Sequence, residues 1–159
     1  MRRQHVVTAL LENQVGTLNR LTSVFRRKGV SLESLSVGDC EQSGYSRMTL
    51  VVSGDDSDLN VVMGQLLKLL DVVDIQDLKV DSSVRRELAL VRVGASPQQR
   101  GEIIEVVHVM GGRVAHLAKD DLTVEFTDEP RKIEHFLSLM EPYGLREVVR
   151  TGTAAMRVD

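Results

Sequence analysis

Residues 11–20 read Leu-Glu-Asn-Gln-Val-Gly-Thr-Leu-Asn-Arg, and this stretch decides the fold of the chain. It predicts the end of a strand, a short turn and the start of a helix, with Gly16 allowing another group to approach the backbone closely. The first turn of a helix has unpaired N–H groups and favours a negative charge. A carboxylate, such as that of an amino acid, could dock there beside the Asn13 amide. The alternative is a plain strand–helix junction with a permissive glycine.

The composition is that of an ordinary globular chain with an aliphatic core. Of the 159 residues, 42% are hydrophobic and only 3% are aromatic, so Val, Leu, Ile and Met must fill the core. A net charge of −3 gives no support for a nucleic-acid or anionic-membrane surface. The single cysteine, Cys40, cannot form an internal disulfide, which favours a reducing compartment. Because the sequence also lacks a signal-peptide pattern and a long apolar run, we expect a cytoplasmic protein with no membrane partner.

The first half of the chain has the apolar periodicity of a strand, helix, strand, strand, helix, strand series. The predicted elements are strand 5–11, helix 17–28, strands 31–40 and 45–53, helix 58–70 and strand 72–80. The inward face of the first helix is predicted to hold Leu18, Leu21, Val24 and Phe25. That of the second helix is predicted to hold Leu59, Val62, Met63, Leu66, Leu67 and Leu70.

The last of these strands has an apolar phase that shifts along its length. The pattern begins on Val73 and Ile75 and continues on Leu78 and Val80. Because side chains alternate between the two faces of a sheet, this shift predicts a bulge or a bend between the two pairs.

The same order of elements recurs after a short polar linker at 81–83. Strand 87–95 precedes a helix whose start is predicted at Ser96-Pro97-Gln98-Gln99, with Ser96 as the N-cap. A hairpin of strands 113–118 and 122–127 follows. A helix opened by residues 127–130 and a closing strand at 145–156 complete the second half.

These patterns predict an α+β fold of two tandem ferredoxin-like βαββαβ units, at residues 1–81 and 84–159. Each unit would form a four-stranded antiparallel sheet with both helices on one face. The other sheet face would be left bare, and units of this size have modest cores. We therefore expect at least a dimer.

The sequence has no positive sign of catalytic chemistry. No phosphate-binding glycine loop is present, and the histidines have no metalloprotease spacing. Asp120 and Asp121, close to His116, could help to ligate a metal, but they also fit a hairpin turn. The acidic run at 55–58 is typical of a helix N-terminus. We therefore predict a binding module with no catalytic residue and no metal site.

Six short motifs carry a resemblance to a known family. They are Leu10-Leu11-Glu12-Asn13 with Gly16, Leu18 and Arg20; Phe25 with Arg27, Gly29 and Leu32-Glu33-Ser34-Leu35; Ser46-Arg47-Met48-Thr49; Gln65-Leu66 with Leu69, Val72 and Val73; Arg86-Glu87-Leu88; and Arg150-Thr151-Gly152. With the βαββαβ order, they resemble the ACT domain, a module that binds small amino acids. Over nearly its whole length the chain resembles the small regulatory subunits of acetolactate synthase (acetohydroxyacid synthase), with an N-terminal ACT domain and a C-terminal ACT-like domain.

The resemblance implies a regulatory role in branched-chain amino-acid biosynthesis. The chain would associate with a large catalytic subunit, raise its activity and confer feedback inhibition by valine or a related amino acid. Thiamine diphosphate, magnesium and FAD would belong to the catalytic partner, and this chain would hold no cofactor. The family also implies a homodimer formed through the ACT domains.

The resemblance further implies an effector site at the first glycine turn. Its expected residues are Asn13, Gln14, Val15, Gly16, Thr17 and Leu18, completed by Ser31 of the neighbouring subunit. The family typically has Asn where this chain has Ser31. Losing one hydrogen bond to a charged ligand group costs about 1.5–3 kcal/mol, so effector affinity could be about tenfold weaker, unless a water bridges the gap.

Two other functions stay open at the level of sequence. The chain could be a free-standing tandem ACT amino-acid sensor acting on another enzyme or regulator, which recovery of a different partner would favour. It could also be a small enzyme with a site assembled across a dimer, which turnover of pyruvate by the chain alone would support. No helix-turn-helix or basic recognition helix is present, so we expect no nucleic-acid partner.

Overall fold

A computed structural model describes residues 3–158, which form two compact units. The first unit contains the chain up to Val84 together with the segment that begins at Thr153, and the second runs from Arg85 to Gly152. The division between the units thus lies close to the predicted linker. The last described residues differ from the predicted arrangement, because they belong to the first unit and not to the second.

The first unit has the predicted βαββαβ order. Its elements are β1 (Arg3–Glu12), α1 (Thr17–Lys28), β2 (Ser31–Asp39), β3 (Tyr45–Gly54), α2 (Asp56–Leu66) and β4 (Val72–Leu78). The strands form an antiparallel sheet in the order β2-β3-β1-β4. The order places β1 in the middle, so the loop from β1 to α1 leaves the sheet at a central strand.

Both helices of the first unit pack against one face of this sheet. Residues 7, 9 and 11 of β1 and residues 48, 50 and 52 of β3 form the core with Leu21, Val24 and Phe25 of α1. Three predictions about the helix faces were wrong. Leu18 is 45% exposed, and Leu67 and Leu70 are 54% and 97% exposed because α2 ends at Leu66 in a series of tight turns.

The phase shift in β4 has two causes. Leu10 pairs with Asp74 and Leu11 with Val72, so a bulge lies at residue 73, earlier than predicted. Ile75 belongs to the core beneath the helices, whereas Leu78 lies with Val6 and Val51 in a separate cluster. The strand therefore contributes an apolar residue to each face of the sheet.

The second unit repeats the order with its own core. Its elements are β5 (Ser83–Gly94), α3 (Arg100–Met110), β6 (Arg113–Leu117), β7 (Asp121–Asp128), α4 (Pro130–Met140) and β8 (Leu145–Arg150), in an antiparallel sheet ordered β6-β7-β5-β8. The rings of Phe126 and Phe136 lie 4.7 Å apart at its centre. The fold class, two tandem α+β units with antiparallel sheets, is confirmed. The start of α3 is three residues later than predicted, since residues 97–99 form a turn, and its N-cap is Gln99 and not Ser96.

The predicted closing strand at 145–156 is interrupted. After β8, Gly152 has a φ of 80°, and the strand β9 (Ala154–Arg157) follows. The Thr153 amide donates to Ser34 Oγ at 3.4 Å, and the Ala155 amide donates to Thr49 Oγ1 at 3.2 Å. Ala155 also packs on the Val6 cluster. The sheet face predicted to be bare in the first unit is therefore partly covered by the end of the chain.

Candidate functional site

The loop between β1 and α1 is fixed by main-chain hydrogen bonds and one glycine. The Glu12 amide donates to the Asp71 carbonyl at 2.8 Å, and the Asn13 amide donates to the Gly44 carbonyl at 2.9 Å. Gly16 then occupies the N-cap of α1 with a φ of 83°, a left-handed conformation that L side chains rarely adopt. The glycine therefore makes the abrupt change from strand to helix possible.

An open cleft of about 380 Å³ lies against this loop. Its lining consists of Leu11, Glu12, Asn13, Gln14, Val15, Thr17, Leu18, Val37 and Ser46. Most of the predicted effector residues are thus brought together. Gly16 and Ser31 are not among the described residues that line the cleft. Gly16 shapes the turn, and Ser31 lies exposed at the start of β2.

The cleft has an apolar wall and a polar end. The apolar wall comprises Leu11, Val15, Leu18 and Val37, of which Leu11 is buried and Val15 is 98% exposed. Exposed aliphatic groups gain free energy when another apolar group removes them from water. A short aliphatic side chain is therefore the ligand group that suits this wall.

The Asn13 side chain is held in one orientation at the polar end. Ser46, which is buried, donates its hydroxyl hydrogen to Asn13 Oδ1 at 2.5 Å. Since an amide has one acceptor oxygen and one NH₂ group, this contact leaves the Asn13 Nδ2 hydrogens available as donors. Sequence reasoning did not assign Ser46 to the site, although it lies within one of the family motifs.

The start of α1 provides backbone donors and a favourable dipole. No side chain of residues 3–158 caps this helix, and its first turn contains no acidic residue. The Thr17 amide donates to the Gln14 carbonyl at 3.3 Å, and the Arg20 amide donates to the Gly16 carbonyl at 3.0 Å. An uncapped helix N-terminus favours an anion. The geometry therefore suits a carboxylate.

A second group of three side chains supports the loop, and of these only Thr17 also lines the cleft. The Asp71 carboxylate, whose side chain is 11% exposed, accepts a hydrogen bond from Arg20 Nε at 2.9 Å and forms an ion pair with Arg20 Nη2. Thr17 Oγ1 lies 3.2 Å from the same carboxylate oxygen and 2.9 Å from the Gln14 carbonyl. Sequence reasoning missed Asp71. Its only signal was an acidic residue inside the apolar run Leu69-Leu70-Asp71-Val72-Val73.

Two exposed charges close to Ser46 in the sequence are paired with each other. Arg47, next to Ser46, donates from Nη2 to Glu41 at 2.5 Å, and this hydrogen bond lowers the pKa of Glu41. The pKa of Arg47 is raised by the same contact. Both groups therefore stay charged at neutral pH.

The other sequence candidates have structural roles. The Asp121 carboxylate accepts a hydrogen bond from Arg146 at 2.8 Å, and the Asp120 backbone carbonyl accepts one from the Ala95 amide at 3.0 Å. The acidic run at 55–58 forms a capping box at the start of α2. Within residues 3–158, no group of three His, Cys, Asp or Glu side chains could hold a metal ion. The helices of this range are also too short or too polar to span a bilayer.

Comparison with known families matches both halves of the chain. Residues 8–74 match the family described as the AHAS small subunit-like ACT domain. Residues 86–159 match the family described as the small subunit of acetolactate synthase. The first match contains the whole lining of the cleft.

Individual relatives match over nearly the full length. The chain is 41% identical over 153 residues to a probable acetolactate synthase small subunit of Archaeoglobus fulgidus, covering 96% of each chain. It is 42% identical over 152 residues to the acetolactate synthase small subunit of Mycolicibacterium smegmatis, covering 96% of this chain and 89% of that one. The crystal structure of the Thermotoga maritima acetolactate synthase small subunit superposes with a TM-score of 0.90 at 30% identity, covering 98% of this chain and 97% of that one.

Proposed function

The chain belongs to the family of acetolactate synthase small subunits, and from this premise we propose that it activates a large catalytic subunit and makes it sensitive to feedback inhibition by valine or another branched-chain amino acid. Its membership makes it a regulatory subunit with an ACT domain, whose partner is the catalytic large subunit. The effector, its site and the activation are our proposal. The observation that supports them best is the cleft at the uncapped start of α1.

The effector would be held by groups that match the parts of a small aliphatic amino acid. Its carboxylate would accept hydrogen bonds from the backbone amides at the start of α1 and from the Asn13 amide. Its side chain would pack against Leu11, Leu18 and Val37. The proposed effector site thus comprises Asn13, Gln14, Val15, Gly16, Thr17 and Leu18.

The cleft is open on one side, which supports the proposal of a homodimer. Val15 and Val37 remain exposed in a single chain. A second copy, docked through its ACT domain, would bring its Ser31 to the ligand and exclude water from the aliphatic wall. Serine offers a hydroxyl for one hydrogen bond.

The chemistry itself would belong to the partner. We propose that thiamine diphosphate, magnesium and FAD reside on the large subunit, and that this chain takes part by binding and not by catalysis. Valine would stabilise the arrangement of the small subunits that the active large subunit disfavours. By linkage, valine and the large subunit would then weaken the binding of each other by a common factor.

Reconstitution of the complex tests this function. The rate of acetolactate formation by the large subunit is measured alone, with the full-length chain, and with the chain plus L-valine. We expect the chain to raise the rate and valine to lower it again. In Asn13→Asp, activation should persist while valine inhibition is lost. A chain that never changes the rate of the large subunit would contradict the proposal.

A further inference from the structure

We infer that Asp71, which does not line the cleft, is a positioning residue for effector binding: it holds Arg20, Thr17 and the loop before α1 in place. The inference rests on the proposed function, because it assumes that the cleft binds the effector carboxylate. It assigns a role to a buried charge that sequence reasoning did not find.

Three contacts connect Asp71 with the loop. Its carbonyl accepts a hydrogen bond from the Glu12 amide at 2.8 Å, where β1 ends. Its carboxylate pairs with Arg20, which lies one turn into α1. Thr17, the first residue of α1, lies within hydrogen-bond distance of the same carboxylate oxygen at 3.2 Å. Asp71 therefore contacts the loop at both of its ends.

Arg20 extends this support to the middle of the loop. Its Nη1 donates to the Val15 carbonyl at 3.3 Å and lies where it would be 3.2 Å from a Cβ on Gly16. The guanidinium thus packs against the glycine turn, while neither Arg20 nor Asp71 lines the cleft. Because Asp71 holds the guanidinium on this side, Arg20 fixes the direction of the backbone amides and does not itself reach the ligand.

This arrangement makes a prediction with a definite sign. If Asp71 positions the loop, removing its charge will weaken carboxylate binding, since the backbone amides will no longer be held towards the cleft. If Asp71 only competes with the ligand for Arg20, removing its charge will free the guanidinium and strengthen binding. The direction of the change in affinity separates the two cases.

The experiment is a double-mutant cycle on L-valine affinity, measured by calorimetry on the full-length chain. The variants are Asp71→Asn, Arg20→Gln and the combination of both, with thermal unfolding recorded for each. A matched control, Glu125→Gln, removes the partner of Arg113 in an ion pair of the second unit. We expect about tenfold weaker valine binding in each single variant, which corresponds to 1.4 kcal/mol, and no change in the control.

The double variant tests whether the two residues act as one unit. Because contacting residues in one network give non-additive effects, the double variant should bind valine as the single variants do. Additive losses of affinity in the double variant would overturn the inference. Unchanged or tighter valine binding in Asp71→Asn would also overturn it, while the proposed effector site would stand. If the wild-type chain binds neither valine nor leucine nor isoleucine, the proposed function fails and the inference fails with it. Should Asp71→Asn not fold, Arg20→Gln carries the same prediction, since Arg20 is 46% exposed.

Discussion

The two units reach their first helix through junctions of opposite character. In the first unit, Gly16 turns the chain into α1 without a side-chain cap, and a cleft opens beside it. In the second, Ser96 Oγ lies 3.3 Å from the Gln99 amide and 3.1 Å from the Gln99 side-chain oxygen, before α3 begins at Arg100. In the second junction a side-chain oxygen therefore accepts a hydrogen bond from the Gln99 amide, just before the helix, whereas no described side chain does so in the first.

The difference extends to the surroundings of each junction. Arg100 donates to the carbonyls of Ala118 and Lys119, at 3.3 and 2.7 Å, and the Ala95 amide donates to Asp120. These contacts tie the second junction to the neighbouring hairpin. On our proposal, the repeated fold uses the first junction to bind a ligand, whereas the contacts of the second junction support its own unit.

The largest effect is expected from a negative charge at the first junction. Asn13→Asp keeps the acceptor for Ser46 and adds a carboxylate beside the proposed carboxylate site. Repulsion between two such groups should weaken L-valine binding by about a hundredfold. Calorimetric titration measures this, and Gln98→Glu, the same kind of charge change in the second junction, should leave the affinity unaltered. Equal effects of the two variants would remove the distinction between the junctions.

A smaller effect is expected from adding one methyl group to each junction. Gly16→Ala forces a left-handed conformation on an L residue and brings Cβ to 3.2 Å from Arg20, so it should cost about 1–2 kcal/mol of unfolding free energy and weaken valine binding about tenfold. Gly101→Ala lies in the first turn of α3, with open space around its Cβ. It should instead stabilise the protein by about 0.5–1 kcal/mol. Urea unfolding would show the opposite signs, and a shared sign would refute the contrast.

The smallest effect is expected from removing a side-chain hydrogen bond in the turn before α3. Ser96→Ala deletes the hydroxyl that accepts from the Gln99 amide and should cost about 1 kcal/mol of unfolding free energy. Valine affinity should stay within experimental error of the wild type. A loss of valine binding in this variant would show that the second junction takes part in the effector site.

Local patterns in the sequence were sufficient to predict most of the fold. The helix α1 was predicted at residues 17–28, and it begins and ends there because Gly16 and Gly29 both take left-handed conformations that stop it. The cleft-lining residues from Asn13 to Leu18 are adjacent in sequence. A local motif was therefore enough to identify them, and their role in binding stays a prediction.

What sequence reasoning missed depends on distant contacts. Asp71 meets Arg20 across 51 positions, and Thr153 meets Ser34 across 119. The position of Leu78 led to the prediction of a bend. The residues it packs with on the second face of the sheet, among them Ala155, could not be known from periodicity. The closing strand was predicted as continuous, but the backbone breaks it at Gly152, which has a φ of 80°.

Hydrogen exchange of the full-length chain, with and without saturating L-valine, tests the central claim most directly, since both junctions are observed in one experiment. The account predicts slower exchange of the backbone amides in residues 12–20, and unchanged exchange in residues 94–101. Slowing confined to residues 94–101, or no slowing at either junction, would contradict it.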